Sequence, residues 1–450
     1  MKKFAWVVLA LLLMLTAYFL RDEPLTPLAE QALNYQPASV PAEQNAFVGA
    51  VGINALTGRD FIQVGETYIQ QSNSGQVPDE QNFDKRERIF KHSCIQEITE
   101  KCLSEIRADA ENIQKLQKEE YELIQRYLKI QEMPNYSNQI QSPSIQVRAT
   151  IMLPSTNLPY VSRILSAQAI LDITNGRGNE GLNWIQKDMA FYRRIFAAKD
   201  ADLLDKTIAL IQIRRHVDTL NMLIGKENLR GHEKTLRALL VPLDSPKENI
   251  MNAAWVEDVF LLQTIYKTPF GKFDGADPQS RKPGYIEKWV VYFLYKQNMT
   301  ANFAAKFMNH KREITIDETP ASLLSSNTAD ETNQRTGCPV WRDSLLCKHL
   351  KNYYGEVLVH MGNTNRVNYF LRAYDTDACL RLARAQLEYK LAAKQPNADP
   401  IALLASLPPE TFNPYTEKPF DFDAERGVIG FQPAANHDKD RRVEIHLPLQ

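Results

Sequence analysis

Residues 160–224 read YVSRILSAQAILDITNGRGNEGLNWIQKDMAFYRRIFAAKDADLLDKTIALIQIRRHVDTLNMLI. Three helical registers lie in this stretch, Tyr160–Asn175, Asn179–Ala198 and Asp202–Ile224. In the second, Leu182, Ile185, Met189, Tyr192 and Phe196 recur at steps of three and four, so they share one helix face. Gly176-Arg177-Gly178 separates the first two registers, and the second and third join within a few residues. Connections this short make consecutive helices antiparallel neighbours. The chain therefore reads as mainly α, with an array of antiparallel α-hairpins over 160–310. No clean repeat signature runs through it, so a tetratricopeptide array is an analogy only.

Downstream, Ser245-Pro246-Lys247-Glu248 reads as a helix start, with serine capping, proline first and glutamate reaching back. That helix is expected to reach about Thr268, with Trp255, Val259, Leu262 and Tyr266 facing inward. Helix resumes over Tyr285–Met308, where the apolar run at 289–295 is too short to span a bilayer. A polar loop is expected at 311–336, then C-terminal helices over 337–407, chiefly Tyr353–Ala393. The end changes character. Lys418–Phe422 and Val428–Phe431 alternate around the turn-like Asp423–Gly427, and Val443–Leu447 alternates again. We read residues 408–450 as a small β-rich cap, a hairpin with a third strand. Tyr415, Phe420, Phe422, Val428 and Phe431 are its structural residues, expected to pack on helix around Leu380–Leu391.

Upstream, an N-terminal helical region spans 46–135. Asn45–Gln71 predicts two short helices, and Ile113, Leu116, Leu123, Tyr127 and Ile130 mark a long amphipathic helix ending before Pro134. Asp109 and Glu120 interrupt its register. The segment 1–20 differs from all of this. Phe4–Leu20 carries no charge across seventeen residues and follows Lys2 and Lys3. As a helix it spans roughly 25 Å, enough to cross a bilayer core. It reads as a retained signal anchor, because its apolar run is long for a cleaved signal and only Ala17 offers a cleavage site. The lysines favour an N-terminus kept inside, which sends residues 21–450 outward. The expectation is a single-pass protein of the bacterial inner membrane with its bulk in the periplasm, and residues 21–45 as a spacer.

Among 450 residues, 53 are basic and 54 acidic, so charge favours neither nucleic acid nor another broadly charged partner. Five cysteines include two close pairs, Cys94 with Cys102 and Cys338 with Cys347. An exported compartment permits a disulfide at each pair, with buried thiols or a metal as the other readings. In a continuous helix the Cα atoms of Cys94 and Cys102 would stand about 12 Å apart, too far to bond, so a bond there requires a bend. Neither pair has C-x-x-C spacing, which argues against zinc. Cys379 reads as a core thiol.

No catalytic or cofactor motif emerges. The eight histidines form no ligand pair on a helix face, and no G-x-S-x-G, P-loop or dinucleotide fingerprint occurs. Asp375-Thr376-Asp377 reads as a helix cap or a weak cation site. Asp421-Phe422-Asp423 places two carboxylates on one side of the hairpin. Arg193-Arg194 and Arg214-Arg215 add charge to successive helices that could face each other. We assign no catalytic residue, no cofactor and no metal.

Three stretches carry a resemblance: 184–224, from Trp184 to Ile224; 352–390, from Asn352 to Lys390; and FNPYTEKPFDFDAERGVIGFQ at 412–432. Together they resemble a family of membrane-anchored, mostly helical exported proteins of Gram-negative bacteria, over roughly 45–432. Its most specific piece is P-Y/F-T-x-x-P-F, met here by Pro414 to Phe420, and such proteins often carry glycine where this chain has Glu417. The resemblance implies an exported helical protein and attaches no activity to it. Two function classes follow. One is a non-enzymatic envelope module that docks a protein partner on its helical body. The other is a hydrolase or lyase built from distant positions, with lipid or small-ligand carriage as a third possibility.

Overall fold

The structure is a computed structural model. It describes residues 2–74, 76, 83–84, 101–140, 157–226, 229–267, 295–323, 352, 355, 359, 366–393, 399–435 and 442–447. Helices dominate it, and one small sheet lies near the C-terminus.

At its centre lie helices α8 (Asn157–Thr174), α9 (Gly178–Ala197) and α10 (Leu203–Lys226), close to the three expected registers. They pack in sequence, α8 on α9 and α9 on α10, and such short connections force each to reverse on the last. Leu182, Ile185, Met189, Tyr192 and Phe196 are all buried. On its other side α10 packs against the long α14 (Val367–Ala392), which carries Leu371, Leu380 and Leu382 into the same core.

Short helices surround this centre: α3 (Ala46–Gly52), α4 (Phe61–Asn73), α5 (Cys102–Ala108), α6 (Ala110–Glu119), α7 (Tyr121–Glu132) and α11 (Glu233–Leu239). The long amphipathic helix expected up to Pro134 is in fact α5, α6 and α7. It breaks at Asp109 and Glu120, whose φ of −98° and −102° and ψ of 13° and 21° leave the helical range. Those acidic residues fall where the apolar register lapses, so the chain gains by turning there and keeping Ile106, Ile113 and Tyr127 buried. Helices α3 and α4 meet at Gly52 and Gly65. A Cβ on either would run into backbone of the other helix, so only glycine allows the approach.

Helix α12 (Pro246–Lys267) starts at Pro246 as expected, but Ser245 does not cap it. Ser245 has φ +43°, and its hydroxyl donates to Asp244 Oδ1 at 3.1 Å. The capping box is replaced by a left-handed residue that turns the chain into the helix. Of the four expected inward residues, Val259 and Leu262 are buried and Trp255 and Tyr266 half-buried. Helix α13 (Gln297–Asp317) runs into the expected 311–336 loop, so the first seven residues of that loop are helical, and 324–336 lie outside the described residues.

Residues 21–45 are no loose spacer. Helix α2 (Pro27–Leu33) forms a second core with α12 and α13, in which Ala29 and Ala32 meet Val259, Leu262, Ala301 and Ala305. Tyr35 stacks edge-on against Trp255, with ring centroids 4.8 Å apart. The Asp22 carboxylate accepts from the amides of Asn298 and Met299 at 2.9 and 3.1 Å, at the start of α13.

Helix α1 (Lys2–Leu20) confirms helical structure for the N-terminal segment, and Phe4, Trp6, Leu13 and Met14 on it are exposed. Among the described residues, however, no helix is long and apolar enough to cross a membrane.

The C-terminal cap is a three-stranded antiparallel sheet, β1 (Asp421–Asp423), β2 (Val428–Phe431) and β3 (Val443–His446), in that order, with Phe422 opposite Ile429 and Ile429 opposite Ile445. A short helix, α15 (Pro400–Ala405), precedes it, capped by Asp399, whose side chain accepts from Ile401 N at 3.0 Å.

Candidate functional site

The polar residues that converge most closely do so inside the core, around Asp188 on α9. Tyr127 Oη of α7 donates to Asp188 Oδ1 at 2.5 Å, and Gln131 of the same helix donates to the same oxygen. Ser162 Oγ of α8 donates to Oδ2 at 2.5 Å, and His216 Nε2 of α10 lies 2.6 Å from it. Facing a carboxylate, Nε2 carries the ring proton, and Nδ1 is left buried without a partner. The Tyr192 hydroxyl lies 3.2 Å from that of Tyr127. Burial, and then the charge of Asp188, push both phenols far above their ordinary pKa, so they remain neutral.

This constellation resembles a catalytic set in composition but not in wiring. A serine nucleophile needs its proton taken by a base, whereas Ser162 and His216 both turn to the same carboxylate oxygen. Ser162, Asp188 and His216 are 1%, 3% and 2% exposed, so no substrate reaches them. One carboxylate on α9 instead satisfies donors from three other helices and fixes where α7, α8, α9 and α10 cross.

A second cluster stands at the α9–α10 turn. Asp202 Oδ1 accepts from Asp205 N at 2.9 Å, and Asp205 Oδ2 accepts from Asp202 N at 3.4 Å, a reciprocal capping box at the start of α10. Asn138 Nδ2 donates to Asp205 Oδ2 at 3.1 Å. Burial, reinforced by Asp202, pushes the Asp205 carboxyl up to about 8. The next residue, Lys206, donates from Nζ to the carbonyls of Phe196 and Ala198 at 2.7 and 2.8 Å, capping the C-terminal end of α9. Burial pulls its ammonium down to about 7. Asp200 closes the cluster by accepting from Tyr35 Oη at 2.7 Å, Ala38 N at 3.0 Å and Ser137 Oγ at 3.0 Å. It thereby ties the N-terminal segment to the helical body.

The residues singled out in the sequence have other roles. Asp375 and Asp377 cap no helix; they lie within α14 and are 3% and 1% exposed. Asp375 accepts from the amides of Ala434 and Ala435 at 3.0 and 2.9 Å and from Tyr415 Oη at 2.8 Å, which docks the C-terminal cap. Asp377 accepts from Leu243 N at 2.6 Å and pairs with Arg381 at 2.7 Å. Burial raises both carboxyls, Asp375 against its amide donors and Asp377 against Arg381. Asp423 Oδ1 accepts from Glu425 N and Arg426 N at 3.0 and 3.1 Å and shapes the hairpin turn, while Asp421 is exposed. The arginine pairs do not face each other. Arg193 donates to the carbonyls of Pro242 and Leu239 at 3.2 and 3.4 Å and to that of Val241, and Arg214 pairs with Asp218 at 3.1 Å.

In the cap, Phe420, Val428 and Phe431 are buried, and Tyr415 and Phe422 are half-buried against the main core. Cys102 is buried in α5 and Cys379 in α14, whereas Cys94, Cys338 and Cys347 lie outside the described residues. No group of three or more potential ligands that could hold a metal occurs among the described residues.

Neither Asp188 nor His216 stood out in the sequence, yet a signal existed. Asp188 lies three residues after Ile185 and four before Tyr192, and His216 three after Ile213 and four before Leu220. Each is a polar residue in a core register. Comparison with protein-family models, curated proteins and solved structures finds no match for this chain.

Proposed function

We propose that this protein is a membrane-anchored, non-enzymatic binding or scaffold module of the bacterial cell envelope, with its helical body in the periplasm and a protein partner docked on it. The observation that carries the reading is the sealing of its polar clusters. Asp188, Asp205, Asp375 and Asp377 are each 9% exposed or less and are engaged in ties between segments. A catalytic acid or base must come within hydrogen-bond reach of a substrate atom, and these cannot. A scaffold gains from the same arrangement, since such ties hold an outer surface rigid.

Attachment rests on α1, whose exposed Phe4, Trp6, Leu11, Leu13 and Met14 favour lipid over water. Asp22 and α2 hold the chain to the body directly after this helix, so the body would sit close to the membrane rather than on a long tether.

The test is crosslinking in intact membranes followed by capture of the full chain. A defined protein recovered in near-equal amount, which also binds the purified chain in reconstitution, is the expected result. Hydrolytic activity of the purified chain that Ser162→Ala abolishes without unfolding it would overturn the scaffold reading. A reporter enzyme fused after Gln450 and active only outside the cytoplasm tests the orientation, and its silence would overturn that part.

A further inference from the structure

Residues 22–35 lie along α12 and α13, and the body grips their main chain through three side-chain amides. Asn302 of α13 accepts from Thr26 N at 2.7 Å and donates from Nδ2 to Pro24 O at 2.9 Å, so one amide engages two residues of the segment. One turn earlier, Asn298 Nδ2 donates to Glu23 O at 2.7 Å. Its amide is turned that way because Oδ1 accepts from Tyr266 Oη at 3.1 Å. Gln263 of α12, 3% exposed, donates to the carbonyls of Ala32, Leu33 and Tyr35 at 3.2, 3.2 and 3.0 Å, which satisfies the C-terminal end of α2.

Side chains of the segment enter the contact mainly at Ala29 and Ala32, buried against Val259, Leu262, Ala301 and Ala305. A longer side chain at either would force these helices apart. With seven residues α2 is too short to persist alone in water, so it takes its shape on the body. The body has supports of its own. Helix α12 sets Ile250, Ala253 and Ala254 in the main core, and only its later part, with Val259 and Leu262, joins the separate core around α2. Helices α12 and α13 also pack directly on each other.

We propose that α12 and α13 form a peptide-binding groove whose tethered ligand is residues 22–35, a segment that is non-helical at first and then helical, with small residues at two positions three apart. Main-chain hydrogen bonds give such a groove its affinity, and the buried positions give it selectivity. The tether adds to this, since a short linker presents its ligand at an effective concentration of about 1 mM. With the tether cut, the groove accepts the same peptide from solution. This site depends neither on the partner nor on the membrane attachment proposed above.

The test uses the full chain in an uncharged detergent, with a protease site inserted after the exposed Ser39. After cutting, fragments 1–39 and 40–450 are expected to elute together in gel filtration. A fluorescent peptide of residues 21–38, in excess, is expected to displace the 1–39 fragment with saturable anisotropy, and the uncut chain should take it up at least tenfold less. The same peptide carrying Ala29→Leu and Ala32→Leu should compete at least tenfold more weakly. In the cut protein Asn302→Ala should speed loss of the fragment at least tenfold, and the peptide series decides even where that variant does not fold. Separation of the fragments on cutting, failure of the peptide to exchange, unfolding of the body when the fragment leaves, equal competition by the leucine peptide or equal uptake by the uncut chain overturns the proposal.

Discussion

Asp188 and His216, 28 positions apart on two helices, meet at 2.6 Å where neither touches solvent. The carboxylate also receives Tyr127, Ser162 and Gln131, so its removal strands several buried donors at once. Asp188→Ala is expected to lower unfolding free energy by about 3–5 kcal/mol, as when one member of a buried pair is deleted. Ser162→Ala removes one donor and should cost about 1 kcal/mol. Urea unfolding of both variants measures this, and a loss below that of Ser162→Ala in the aspartate variant would deny Asp188 its role as hub.

The α9–α10 turn predicts an unusual pH profile. The folded Asp205 carboxyl is raised to about 8, above its unfolded value near ~4, so its contribution is complete below ~4 and is lost as pH rises to about 8. Folded Lys206 is lowered to about 7 from an unfolded value near ~10.4. Its contribution is complete above ~10.4 and is lost as pH falls to about 7. The two slopes oppose each other, and together they place a local minimum of stability between about 7 and 8. Asp205→Asn should flatten the acid side of that minimum and Lys206→Met the alkaline side, as read by unfolding at pH 5.5, 7.5 and 9.

The grip on the N-terminal segment depends on Asp200, which holds Tyr35, Ala38 and Ser137. Asp200→Ala should speed proteolytic cleavage within residues 34–45 several-fold while the body resists as before. Tyr35→Phe, which loses one of these bonds and keeps its contact with Trp255, should have the smaller effect. Equal cleavage of wild type and Asp200→Ala would show that the apolar contacts of α2 suffice.

In the C-terminal cap, Phe420 is 4% exposed and its ring centroid lies 5.9 Å from that of Phe431. Phe420→Ala should cost about 3–5 kcal/mol and lower the cellular level. Asp421→Ala should stay within about 0.5 kcal/mol, since that side chain is exposed. Asp423→Ala gives up the turn bonds to Glu425 N and Arg426 N and should cost about 1 kcal/mol. Thermal melts rank the three, and a stable Phe420→Ala protein would show that the cap does not depend on this ring.

Glu417 adopts φ +55°, the left-handed region. A side chain strains that backbone and glycine does not. Glu417→Gly is therefore expected to raise stability by about 0.5–1 kcal/mol, despite the freedom glycine adds to the unfolded chain. A fall in melting temperature would mean that the exposed glutamate side chain contributes more than the strain costs.

Much of this molecule is determined locally. Apolar residues at steps of three and four suffice to define α8, α9 and α10, because a helix forms wherever one face can be buried. Alternation and turn residues likewise define the three C-terminal strands, whereas the lapses at Asp109 and Glu120, which read as interruptions within one long helix, are where the chain breaks into α5, α6 and α7. Only the tertiary structure decided the polar wiring. Asp188 and His216 each look like an isolated polar residue in a core register until α9 and α10 bring them together. Asp375 and Asp377 look like a cap until α14 continues for 26 residues and buries them. The segment at 21–45 looks like a tether because its composition is that of one, yet Tyr35 and Asp22 find partners on Asp200 and α13. A hydrogen bond needs a partner at about 3 Å, and for a buried side chain that partner comes from a distant part of the chain. Periodicity reports which face is buried, but not which residue of another helix lies across from it.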